Sequence, residues 1–154
     1  MELKEMIDLL QSHRHKDAYQ TLKELIKRSE ASSEVYSYMD TFVKMMEDED
    51  SYIRTRGLRM FAVNAVWDHK DIVREYIDRY LSHMEDEKPI TARCCIQDVP
   101  LIAKAKPELI PQIQHALKEI HRIYPTSMQS LIYKDRKKAL ARIEDIEQEE
   151  VQRL

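Results

Sequence analysis

The chain has 154 residues, of which 43% are hydrophobic and 34% are charged, so it can bury the continuous core of about one domain. It contains one glycine, which excludes glycine-rich phosphate loops and disfavours folds with many tight hairpin turns. The net charge of -3 argues against a protein that coats nucleic acid, and the adjacent Cys94 and Cys95 exclude the spaced disulfide framework of small secreted proteins.

Apolar residues recur at helical spacing along the chain, and the predicted helices fall into consecutive pairs. These helical hairpins cover about residues 2–29, 33–67, 70–104 and 107–147. The remaining segment, residues 148–154, has few apolar side chains and follows an acidic run at a helix C-terminus, where acidic residues oppose the macrodipole. We expect this tail to fray.

Residues with strong positional preferences mark where several helices begin. Asp50 can cap the fourth helix, while Pro89 and Pro107 suit the first turns of two later helices. Thr126 and Gln129 have the spacing of a capping box before the last helix. Helices that begin at such signals and are joined by short breaks are typical of stacked hairpins.

An internal repeat supports this pairing. Residues 50–84 align without gaps on residues 87–121, an offset of 37 positions, and Arg56 falls on Arg93. The apolar positions of the helices coincide, and the period is slightly short for HEAT units. The sequence therefore predicts an all-α fold in a single domain over residues 1–154, an α-α superhelix, or solenoid, of about four hairpins.

Two stretches of the sequence resemble HEAT repeats, which belong to the ARM-like helical solenoids. DEDSYIRTRGLRMFAVNA is similar to the second helix of a repeat, with Asp50 opening it, Arg54 at the motif arginine and Gly57 at the small position. DEKPITARCCIQDVPLIA resembles the next unit, although Thr91 replaces the arginine and Pro100 is expected to interrupt the helix.

The chain is also similar to small bacterial HEAT-like proteins that share the stretches SYIRTRGLR, DEKPITAR and SLIYKD, some of which carry a SufBD-type label. The iron–sulfur scaffold subunits behind that label are built on β-helices, whereas nothing in this sequence predicts a strand. The resemblance therefore implies a helical fold and adds no evidence for cluster assembly.

In HEAT arrays the second helix of each hairpin lines the concave surface. If Ile53, Gly57 and Phe61 point inward, then Arg56 and Met60 fall on the opposite face of their helix. Continuing that face through the repeats predicts a binding surface made of Arg56, Arg59, Trp67, Arg93, Gln97 and Tyr133.

The arginines of this surface allow two interpretations. Arg54 and some of its neighbours can pair with acidic residues of adjacent repeats as a structural ladder, or they can face carboxylates or phosphates of a ligand. Asp98 aligns with core Phe61, so we expect a buried ion pair with an arginine of the preceding repeat, Arg59 first. Its helix is expected to present Ile90 to the interior.

No motif in the sequence predicts catalysis. The six histidines include no pair at i, i+4, and Cys94 and Cys95 have no metal-ligand spacing, so we expect no metal, no cofactor and no catalytic residue. The favoured function is a non-catalytic scaffold that binds a protein or peptide. The alternative is binding of nucleic acid or phosphate through the arginines, including a HEAT-like DNA-repair glycosylase, which the acidic charge disfavours.

The sequence also predicts where the protein works. No stretch reaches the roughly 20 apolar residues of a membrane span, and the N-terminal segment lacks the apolar core of a signal peptide. We therefore expect a cytoplasmic protein without membrane contact. Its oligomeric state is not indicated by any pattern.

Overall fold

The computed structural model describes residues 1–125 and 127–154, and within these residues every regular element is helical. The α-helices are α1 (Leu3–Leu10), α2 (His15–Ala31), α3 (Met39–Met45), α4 (Ser51–Val63), α5 (Ile72–Ser82), α6 (Pro89–Ala105), α7 (Ile110–Lys118) and α8 (Ser127–Arg153). The prediction of an all-α fold is confirmed. The capping box predicted at Thr126 lies outside the described residues.

Short 3-10 helices extend or precede four of the α-helices. They cover Glu34–Tyr38, Asn64–Trp67, His83–Glu85 and Pro107–Leu109. The hairpin predicted over residues 33–67 therefore begins and ends with a 3-10 segment. Such tighter turns are frequent at helix ends and in connections between helices, and their backbone hydrogen bonds have poorer geometry than those of an α-helix.

Aspartate side chains fix the start of two helices. Asp50 caps α4, because its Oδ1 accepts the backbone N–H groups of Tyr52 at 2.8 Å and Ile53 at 3.4 Å. Asp68 lies before the N-cap position of α5, and its two carboxylate oxygens accept the backbone N–H groups of Ile72 and Val73 at 2.9 Å each. The intervening Asp71 has a left-handed backbone, with φ 60°. The predicted cap at Asp50 is confirmed.

The core is organised around α4 and α6. The helix α6 packs against α4 on one side and α8 on the other, while α4 also packs against α2 and α3. At the α3–α4 contact the backbones approach so closely that a Cβ on Gly57 would stand 2.6 Å from Met45 Cβ and 2.9 Å from the Phe42 carbonyl oxygen. The only glycine of the chain is therefore required by packing.

This crowding around α4 and α6 corrects three predictions. Arg56 and Met60 were expected opposite the core, yet both are buried, because α4 has neighbours on most of its sides. Ile90 was expected inside but is exposed in the first turn of α6. Pro100 lies within α6, and the helix continues to Ala105, since its apolar side chains pack on both flanking helices.

Three arginine–carboxylate pairs join segments that are far apart in the sequence. The shortest N–O distances within the pairs are 2.7, 3.3 and 2.7 Å, and the pairs are Arg54–Asp86, Arg59–Asp98 and Arg93–Asp135. Each of these three arginines therefore has a carboxylate partner, and Asp98 pairs with Arg59, the arginine first expected from the sequence.

Candidate functional site

A groove opens where the first turns of α2, α4 and α6 meet. It encloses about 690 Å³ and is lined by residues from all three helices. We call it the α2–α4–α6 groove. Its most accessible apolar side chains are Tyr19, Tyr52 and Ile90, whose exposed fractions are 53%, 63% and 67%. Large side chains this exposed and this close together mark a surface where another molecule can bind.

The lining of the α2–α4–α6 groove is basic. Lys16, Arg59 and Lys88 contribute cations, and none of the described residues that line the groove is acidic. The contrast with the net charge of -3 for the whole chain shows that positive charge is concentrated here. Partial positive charge at the first turns of α2 and α6, which have no side-chain cap, adds to it, whereas the Asp50 carboxylate neutralises the start of α4.

Arg56 supports the groove from within. Its side chain is buried, and it donates from Nε to the Leu10 carbonyl at 2.7 Å and from Nη2 to the Ser12 carbonyl at 2.8 Å. These carbonyls belong to the end of α1 and to the turn before α2. Arg56 therefore ties the first hairpin to α4 and leaves little of its charge facing the groove.

Arg59 reaches both the groove and Asp98. Its Nε lies 3.3 Å from Asp98 Oδ2, but neither of these two atoms makes an aligned hydrogen bond. Burial raises the pKa of Asp98 above its ordinary value, and the charge of Arg59 offsets only part of that rise. The pair is thus electrostatic rather than closely hydrogen-bonded, and Arg59 keeps donors for a ligand.

Two histidines and one aspartate meet at the rim of the groove. Asp50 Oδ2 lies 3.1 Å from His13 Nδ1 and 3.3 Å from His15 Nε2, and the three side chains bring possible metal ligands within 4.8 Å of one another. On the other side of the ring, His15 Nδ1 faces Arg56 Nη1 at 3.3 Å. A guanidinium at that distance opposes a bound cation, so the arrangement fits a hydrogen-bonded brace.

The other predicted binding residues lie apart from the groove. The Trp67 indole N–H donates to the Ser29 carbonyl at 2.6 Å, which occupies its polar edge. Arg93 and Gln97 both donate to Asp135 and so connect α6 to α8. The remaining residue, Tyr133, is exposed on α8, with the Arg136 guanidinium 4.7 Å from the centre of its ring. The structure therefore brings together Arg56 and Arg59 but not the full predicted set.

The groove also contains residues that the sequence did not single out. Ile90 was expected in the interior, and Tyr19, Tyr52 and Lys88 are not among the predicted binding residues. A signal existed in the positions of Tyr52 and Ile90, because each stands in the first turn of a helix.

The cysteines show no sign of activation. Burial raises the pKa of the Cys94 thiol at the edge of the groove, and it raises that of buried Cys95 well above the ordinary value. A nucleophilic or metal-binding cysteine needs the opposite shift, toward thiolate. Within the described part of the chain, no helix has the length and apolar character needed to cross a membrane.

The described residues thus form an all-helical fold with an open, basic groove that carries exposed aromatic side chains. The chain is a member of the family described as "Required for nuclear transport of RNA pol II C-terminus 1", whose sequence model matches residues 3–99. No match was found among curated proteins or among solved structures. The family match gives no support to the HEAT-repeat, SufBD-type or bacterial resemblance, which stays an unconfirmed prediction.

Proposed function

We propose that the chain is a non-catalytic module that binds another protein through the α2–α4–α6 groove. The observation that carries this proposal is the group of three exposed large side chains, Tyr19, Tyr52 and Ile90, in a concave basic surface. Aromatic residues framed by polar groups are enriched at the centres of protein interfaces.

The family match supports the same surface. All residues that line the α2–α4–α6 groove fall between positions 15 and 94, inside the matched range. The family is described by nuclear transport of RNA polymerase II, and that description names no reaction. We infer that the partner is RNA polymerase II or a protein that accompanies it. Such a role fits the predicted cytoplasmic location as well as a nuclear one.

We further propose that the helical hairpins stack as a short solenoid in a single domain. Hydrogen bonds between side chains recur at separations close to the predicted repeat: Tyr36 to Asp68 spans 32 positions and Thr55 to Thr91 spans 36. Contacts at one repeat length are what stacked units require, because each unit touches its neighbours.

The predicted binding residues take different roles in this proposal. Arg59 contacts the partner, and Arg56 positions the wall of the groove. Arg93 and Gln97 are engaged by Asp135, so we assign them to the α6–α8 contact. Trp67 and Tyr133 lie outside the groove and would be reached only by a partner that extends beyond it.

The experiment places a photo-crosslinking amino acid at Tyr52 and, as a control, at Ile123, an 85% exposed residue outside the groove. We expect crosslinks from position 52 to a subunit of RNA polymerase II or to an associated protein, and none from position 123. Retention of that partner should be lost in Ile90→Asp and kept in Ile123→Asp. Equal retention by both variants would show that the groove is not the binding surface.

A further inference from the structure

We infer that the α2–α4–α6 groove recognises an acidic peptide segment that carries a bulky apolar side chain. This inference rests on the proposed function, because it names the chemistry of the partner for the same groove. It follows from three features of the lining: free cations at the rim, uncapped helix starts, and an apolar floor.

The free cations are Lys16 and Lys88. Both side chains are exposed, they stand at the starts of α2 and α6, and neither forms an ion pair with any described residue. By contrast, Arg56 is occupied by backbone carbonyls and Arg59 by Asp98. Two lysines without partners on opposite walls of one groove would attract carboxylates that follow each other along an extended segment.

The helix starts reinforce this preference. The first turns of α2 and α6 receive no side-chain cap, since Arg14 and Lys88 at the N-cap positions accept no hydrogen bond there. Backbone N–H groups left free in this way are donors for a carboxylate. The lysines and the N–H groups thus favour the same charge on the ligand.

The apolar floor selects for a large side chain between the acidic ones. Leu22, Tyr19 and Ile90 line the groove, and its volume of about 690 Å³ lies within the range of about 300–1,000 Å³ usual for binding pockets. A segment with acidic side chains alone would leave these apolar side chains exposed to water. A Phe, Trp or Leu side chain would bury it and anchor the segment.

A peptide fits this groove better than a nucleic acid does. A protein that holds a duplex through its backbone makes about 6–10 phosphate contacts, whereas this groove offers two free lysines and the shared Arg59. The net charge of -3 would also repel a long polyanion. A short segment with a few carboxylates meets the cations without requiring more of them.

The test selects binders from a display library of random short peptides on the immobilised full chain. The same selection is run on the Lys16→Glu, Lys88→Glu double variant and on a control of equal charge, Lys27→Glu, Lys137→Glu, whose lysines are exposed outside the groove. Acidic residues at helix starts are favoured by the macrodipole, so the groove variant should fold normally. Affinities are then measured by fluorescence anisotropy.

We expect wild type and control to enrich peptides with several Asp or Glu residues around a Phe, Trp or Leu. The groove variant should bind the best of these about tenfold more weakly or worse. Enriched peptides without an acidic excess, bound equally by the groove variant, would overturn the inference. The proposed function would still stand in that case if Ile90→Asp abolished their binding.

Two other results would also overturn the inference. The first is that no peptide is enriched on the wild-type protein; if the Tyr52 crosslinks were missing as well, the proposed function would also be disproved. The second is that the wild-type protein binds labelled single-stranded RNA or duplex DNA and that the groove variant does not. That result would assign the groove to nucleic acid.

Discussion

Arg54 and Asp86 form the most completely satisfied ion pair of the described residues. Arg54 donates from Nε and Nη2 to the two carboxylate oxygens at 2.9 and 2.7 Å, and from Nη1 to the carbonyls of Asp48 and Glu49. Both side chains are almost fully buried. Since all three guanidinium nitrogens donate to acceptors and the pair is buried, removal of either partner would strand the other charge in a dry site.

The first prediction concerns Asp86 and pH. Burial by itself would raise the pKa of Asp86, but hydrogen bonds from His83, Arg54 and the Lys88 backbone outweigh it and hold that pKa well below its usual range. The folded pKa lies below the unfolded value of about 3.9, so the stabilisation is present above that pH and is lost as pH falls below it.

Asp86→Asn should therefore cost about 3–5 kcal/mol at neutral pH, and the difference from wild type should narrow as pH falls below about 4. Urea unfolding across a pH series measures both effects. Asp71→Asn, which changes an exposed carboxylate, is the control and should alter stability little at any pH. A constant difference for Asp86→Asn at all pH values would contradict the assignment.

The second prediction concerns the less satisfied pair, Arg59 and Asp98. Their charges face each other at 3.3 Å, so the two single substitutions to Ala should be non-additive, with a coupling of about 0.5–3 kcal/mol. Asp98→Ala should cost less than loss of Asp86, because Arg59 is about one-third exposed and can be solvated again. Thermal unfolding of the singles and the double measures this, and strict additivity would disprove the pairing.

At the scale of the helices, the third prediction is that Gly57→Ala destabilises the protein. Helix propensity alone predicts a gain of about 1 kcal/mol for this substitution within a helix. However, the new Cβ would meet Met45 Cβ and two backbone atoms of the α3–α4 contact, at Met46 and Phe42, all at less than 3.0 Å. We expect a net loss of about 1–3 kcal/mol in chemical unfolding. A gain in stability would show that α3 can move away freely.

The fourth prediction concerns the end of α8. This helix continues to Arg153, yet the side chains of residues 151–154 are exposed and the last buried residue of the helix is Ile146. Removal of residues 148–154 should therefore change the melting temperature little. A fall of about 8 °C or more, which corresponds to about 2–4 kcal/mol in a chain of this size, would show that the tail packs on the body.

Periodicity in the sequence was sufficient to predict the helices but not which of their faces are covered. A single apolar stripe predicts one buried face, whereas α4 is surrounded by α2, α3 and α6, so Met60 and Arg56 are buried as well. Likewise, Ile90 has the apolar character of a core residue but is exposed in the first turn of α6.

The pairing of Arg59 with Asp98 could be predicted because the repeat alignment placed a carboxylate at a core position. The cluster of His13, His15 and Asp50 could not, because it depends on the docking of the first hairpin.

Across the whole molecule, the helices differ in how many neighbours support them. The helix α6 packs between α4 and α8, whereas α1 packs mainly on α2. In an array of units that touch only their neighbours, the central units open last. The fifth prediction is that amide hydrogen exchange is slowest in α4 and α6 and faster in α1 and the end of α8. Slowest exchange in α1 would contradict this order.

The buried guanidinium of Arg56 has a consequence for how the groove would respond to a ligand. It belongs to α4 but holds the carbonyls of Leu10 and Ser12, so the position of α2, one wall of the groove, depends on it. A ligand that touches both α2 and α6 can only be gripped while the first hairpin is seated. Ligand binding and the docking of the first hairpin on α4 are therefore thermodynamically coupled. If the hairpin is docked for less of the time, the apparent affinity for the ligand falls in proportion to the docked fraction. In return, a bound ligand stabilises the docked position of residues 3–31.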